Sequence, residues 1–139
     1  MVTPILAEFA QQLLDGETAA DDPPTEQTAA ALRVLEKLRR SISTYAGVAG
    51  FRSLLGRALG LAKADVPWLK AAQVNAEGVL VGLGGGGPPL APNEVTKGEV
   101  LLIANLIGLM VAFLGEDLTL NLVREVWPTV SEFAKDEKE

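Results

Sequence analysis

Residues 99–115 read EVLLIANLIGLMVAFLG, from Glu99 to Gly115, and this stretch decides how the chain folds. Between Val100 and Gly115 there are 16 residues without a charge. As a helix they would measure about 24 Å, short of the ~20 residues that cross a bilayer's hydrocarbon. Asn105 lies inside the run, and Glu99, Glu116 and Asp117 bracket it. The segment therefore reads as a central core helix, about 93–115, sheathed by protein, with a membrane as the less favoured surrounding. A buried amide must find a hydrogen-bond partner. Asn105 either bonds across to a second helix and fixes register, or lies at the helix edge and reaches water or a loop carbonyl.

The elements around this rod also read as helical. Thr3 can cap a first helix that starts at Pro4, carries Ile5, Leu6, Phe9 and Leu13 at helical spacing, and stops at Gly16. A second helix is predicted from about Thr25 to Tyr45, with Leu35, Leu38, Ile42 and Tyr45 as its apolar stripe. Gly47 and Gly50 mark a break, and a third helix follows from about Ala49 to Ala64. Pro67 ends it, since proline lacks an amide donor and biases its predecessor away from helix. Residues 72–82 read as a short β-hairpin turning at Asn75-Ala76-Glu77-Gly78, or as a short helix followed by coil. After the central helix, Asp117 to Trp127 makes a last helix, stopped by Pro128. The expected fold is all-α: a single domain over 1–139, a compact bundle of four to five helices with one optional hairpin. A flexible acidic loop (16–24), a Gly/Pro-rich connector (82–92) and a charged tail (129–139) complete it.

Two sets of small residues suggest a helix–helix contact. Gly56 and Gly60 lie four apart in the third helix, and Ala104, Gly108 and Ala112 four apart in the central one. A glycine within a helix costs about 1 kcal/mol relative to alanine, so a close crossing of the two backbones would offset it. The contact could form within one chain or between two copies.

Charge falls in blocks. Residues 1–32 hold six acids and no base, 33–70 hold eight bases against two acids, and 71–139 hold ten acids against four bases. Arg33, Lys37, Arg39, Arg40, Arg52 and Arg57 make a candidate basic face. It either meets an acidic protein surface or is neutralised by the chain's own acids. With a pI near 4.7 and only Tyr45 interleaved, nucleic acid is not the expected partner.

Chemistry is constrained by absences. No cysteine means no thiolate and no disulfide, and no histidine removes the commonest general base and metal ligand. Glu94 and Glu99 lie five apart and point about 140° apart, so they cannot share a metal from one helix. Gly82-Leu83-Gly84-Gly85-Gly86-Gly87 matches the spacing of a dinucleotide loop, but "PPLAPNEVTKGE" follows, and no helix can begin within the motif. No cofactor and no metal are expected.

The expectation is a non-enzymatic, cytoplasmic interaction or adaptor subunit. It would self-associate or dock on a larger protein through apolar helix surface, with Trp68 and Trp127 as candidate anchors, although either also reads as core filling. The alternatives are a membrane-associated helical protein using 100–115 and a carrier of a small apolar ligand. The absence of a basic leader, and Glu8 within the first apolar stretch, argue against a secretory signal.

Overall fold

A computed structural model of the chain describes residues 4–17, 29–82 and 92–128. Most of the predicted acidic loop, the glycine-rich motif within the connector, the charged tail, the Thr3 cap and the start expected at Thr25 lie outside the described residues. Four helices and one hairpin make up the rest: α1 (Pro4–Glu17), α2 (Ala29–Asp65), a 3-10 turn (Pro67–Ala71), β1 (Gln73–Val74), β2 (Leu80–Val81), α3 (Pro92–Leu114) and α4 (Glu116–Val126). The two helices expected on either side of Gly47 are the two arms of α2. Gly47 takes φ 78° and ψ 166°, which breaks the helix and turns the chain. Positive φ costs glycine little because it has no Cβ.

α3 is the core of the bundle. Its residues 102–107 (Leu102, Ile103, Ala104, Asn105, Leu106 and Ile107) are all buried. Six consecutive positions cover the whole helical circumference, so neighbours pack on every side of this stretch. Phe9, Leu13 and Leu14 from α1, Leu38 and Ile42 from the first arm of α2, Phe51, Leu55 and Leu59 from the second, and Val123 from α4 join the same cluster. Asn105 follows neither predicted route: its Nδ2 donates to the carbonyl of Leu101, one turn back on its own helix, at 2.9 Å.

The hairpin is present, with Gln73 opposite Val81 and Val74 opposite Leu80. Asn75 Oδ1 accepts from the amides of Glu77 and Val79, both at 3.0 Å, and Gly78 adopts φ 79°. A three-residue hairpin loop needs a left-handed residue at this position. Gly78 also has to be small: a Cβ there would stand 3.3 Å from the ring of Phe51. The turn therefore nests between the two arms of α2.

Contacts orient the bundle. Leu6 packs at Gly108, whereas Ala7 and Gln11 line a groove with Asn93, Thr96 and Lys97, so α1 runs antiparallel to α3. Arg33, Lys37 and Trp127 all reach Glu17, and Trp68 reaches Glu94. The C-termini of α1 and α4, the start of α2, the 3-10 turn and the first turns of α3 thus share one end. Both arms of α2 start or finish there and span roughly 20–27 Å. By helix length, the elbow at Gly47 and the junction of α3 and α4 at Gly115 both lie away from that end.

Candidate functional site

At the first end, the 3-10 turn set by Pro67 swings Trp68 onto α3. Its Nε1–H donates to the carbonyl of Glu94 at 3.2 Å. The indole fits because residue 98 is glycine: a Cβ there would stand 2.5 Å from Cζ2. The next residue, Glu99, is only 4% exposed, and its Oε2 has no hydrogen-bond partner among the described residues. Burial pushes its carboxyl up to about 7, because a charged form loses more hydration than a neutral one. Such a group can hold a proton near neutral pH. No set of three His, Cys, Asp or Glu side chains among the described residues could hold a metal ion.

Two grooves flank this corner on either side of Lys97. One, of about 590 Å³, runs between α1 and α3 and is lined by Ala7, Gln11, Thr96, Val100 and Leu101 among others. The other, of about 310 Å³, lies between Val66, Pro67, Trp68 and Glu94.

Glu17 closes the same end. Its side chain is 7% exposed, with Oε2 accepting from Lys37 Nζ at 2.5 Å and from Trp127 Nε1 at 2.9 Å. Arg33 adds a fork on the Glu17 carbonyl, with Nε at 3.1 Å and Nη2 at 2.7 Å. This satisfies one of the orphan carbonyls at the C-terminus of α1 and places a cation at its negative dipole end. Glu36 binds Arg39 and Arg40, and Arg39's hydrogen bonds, then those of Arg40, hold its carboxyl below the usual range despite some desolvation. Four members of the predicted basic face are therefore engaged by the protein's own acids. Arg52 and Arg57 stand exposed, with no ion pair among the described residues.

The predicted small-residue crossing within the chain is corrected. Gly56 and Gly60 face solvent, and a Cβ on either would meet nothing within 4 Å. Phe51, Leu55, Ala58, Leu59 and Ala62 define the buried face of that arm, and positions 56 and 60 lie across the helix from it. On α3, Ala104 is buried, a Cβ on Gly108 would stand 3.3 Å from Leu6 Cδ1, and Ala112 is exposed. The tryptophans are likewise not free anchors. Trp127 is buried and bonded to Glu17, and half-buried Trp68 lies along α3.

The opposite end is open. Phe113 is 63% exposed, Tyr45 58% and Val48 43%, with Ala112 exposed beside Phe113. A Cβ on either turning glycine there, Gly47 or Gly115 (φ 93°), would meet nothing within 4 Å. Arg52 follows one turn after Val48, and Glu116 and Asp117 follow Phe113, all three exposed.

Sequence reasoning passed over both Glu99 and Phe113. Glu99 stands four residues before Ile103 and three before Leu102, so helical phase already places it on the buried face. Phe113 carries no comparable signal, because its exposure depends on where neighbouring helices end. No family model, curated protein or solved structure matches this chain.

Proposed function

We propose that this chain is a non-enzymatic, cytoplasmic interaction subunit that docks on protein through the open end of its bundle. The observation that carries the reading is the 63% exposure of Phe113 near the end of the helix whose middle, residues 102–107, is fully buried. Aromatic side chains are enriched in the buried centres of protein interfaces. The lack of His and Cys removes the commonest catalytic bases and nucleophiles, and Glu17, Arg33 and Lys37 engage one another.

A photoreactive phenylalanine analogue at position 113, introduced into the full chain in its source cells, tests this. Adducts to protein are expected there and not at Arg57, an exposed control position. Equal or absent cross-linking at the two positions would overturn the proposal. A second reading, a carrier of a small amphipathic ligand, draws on the groove between α1 and α3, whose apolar floor of Ala7, Val100 and Leu101 lies beside Lys97. A membrane-spanning use of α3 has length and hydropathy in its favour, since residues Asn93–Leu114 average 1.8 over their most apolar window. Half of that window is already buried against protein, and Glu99 lies inside the helix.

A further inference from the structure

We propose that the groove between α1 and α3 binds a free alkyl carboxylate of medium chain length, with its head group at Lys97. The inference rests on the second reading above, to which it gives a ligand class, and does not depend on docking through Phe113. The groove has a volume of about 590 Å³, within the range of pockets that take small ligands. Its lining is ordered by polarity. Because α1 runs antiparallel to α3, Gln11 stands by the first turns of α3 with Asn93, Thr96 and Lys97. Ala7 stands farther along, with Val100 and Leu101. One mouth is therefore polar and the other end apolar. Residues 93 to 101 cover about 12 Å of helix, close to the length of an extended chain of about ten carbons.

Charge sets the sign of the head group. Lys97 is exposed and makes no ion pair among the described residues. The polar mouth also lies at the positive end of the 23-residue α3. No carboxylate lines the groove. On α1, Glu8 and Asp15 are exposed outside the lining, and Asp15 Oδ1 accepts from Gln11 Nε2 at 3.0 Å. The second groove shares Lys97 but holds Asp65 and Glu94 as well, so an anion is accepted only on the α1 side. Other head groups fit less well. An alkylammonium would meet Lys97 with the same sign, and a neutral chain would leave its charge unused. A dianionic phosphate would bring a second charge that the lining does not meet.

Titration of the isotope-labelled full chain with decanoate, followed through its amide NMR signals, tests this. Saturable shifts are expected at Gln11, Thr96 and Leu101, with Kd on the order of 0.1–1 mM for a tail half-covered by an open groove. Decanediol, a neutral chain of the same length, should bind about three- to fivefold more weakly, and decylammonium more weakly still. Lys97→Gln, a change at an exposed position, should bring decanoate down to the level of the diol and leave the diol within about twofold of its parent value.

Equal or tighter binding of decanediol or decylammonium overturns the carboxylate assignment and keeps the carrier reading. Preference for decanoate that survives Lys97→Gln overturns it too, since the charge would then be met elsewhere. If none of the three chains shifts the groove residues, both the assignment and the carrier reading fall. Sedimentation with phosphatidylglycerol vesicles that decanoate does not reverse would mean that the groove takes lipid at a surface, and would sink the proposal of a free ligand.

Discussion

The two ends of this bundle are made from similar residues and treated in opposite ways. At the end where α3 begins, Trp68 and Trp127, Glu17, Arg33 and Lys37 turn onto protein partners, and Glu99 is buried beside them. At the end where α3 finishes, a phenylalanine, a tyrosine and a pair of acids turn outward. The buried carboxylates sharpen the contrast within the closed end. Glu17 and Glu99 are almost equally hidden, yet Glu17 has a lysine and an indole on one oxygen while Glu99 has an oxygen with no partner. Equal burial therefore leaves the two carboxylates in different electrostatic surroundings, because only one of them has both a cation and a donor in contact.

Gly98→Ala should break the closed end most severely. The new Cβ would overlap the Trp68 indole, whose Cζ2, Cε2 and Nε1 lie 2.5, 2.8 and 2.9 Å away, so the 3-10 turn must move and its bond to Glu94 must go. A loss of about 3 kcal/mol is expected in urea unfolding, with a red shift of Trp68 emission read in a Trp127→Phe background. A loss below about 1 kcal/mol would mean that the seat is slack.

Glu99 comes next, through pH. Its folded-state pKa lies above that of the unfolded chain, so the folded protein keeps a proton that the unfolded chain has released. Stability should then fall as pH rises from about 4.5 to about 7 and level off above that. The full shift corresponds to about 3 kcal/mol, and residual water access reduces it to about 2 kcal/mol. Glu99→Gln should remove that slope, so the difference between variant and parent grows between pH 5 and pH 8. Parallel curves for the two proteins would show that Glu99 finds a charge partner or water on ionising. Glu17→Ala follows, with a loss of about 1–2 kcal/mol, because Lys37 and Trp127 lose their acceptor while the Arg33 fork on the backbone survives. If its cost matched that of an exposed acid such as Glu125, the clasp would contribute nothing.

Much of the fold was legible because helix punctuation is local. Pro4, Gly47, Pro67 and Gly115 each act through their own backbone, and the boundaries they mark agree with the observed helices to within a residue or two. The turn at Asn75–Gly78 was legible for the same reason. Readings that needed a neighbour fared worse. A four-residue spacing of small side chains occurs on the solvent face of α2 as readily as on α3, and nothing local tells Gly60 from Gly108. Asn105 could not be placed either, since its partner is its own helix. Gly60→Ala turns this into a measurement: with open space at that position, the substitution should gain about 0.5–1 kcal/mol by helix propensity. A loss instead would reveal a contact on that face in solution.

Phe113→Ser is expected to have the smallest effect on stability, and that smallness sharpens the comparison of the two ends. A core phenylalanine such as Phe9 or Phe51 costs about 3–5 kcal/mol when cut back to alanine, because a cavity is left behind. At 63% exposure Phe113 leaves none, and serine removes only the minor part of the ring that is shielded. Chemical unfolding should place the variant within about 0.5 kcal/mol of its parent. The same substitution should weaken association about tenfold or more, so one residue would matter to binding and hardly at all to folding. A loss of 2 kcal/mol or more would instead put Phe113 in the core and erase the distinction between a closed end and an open one.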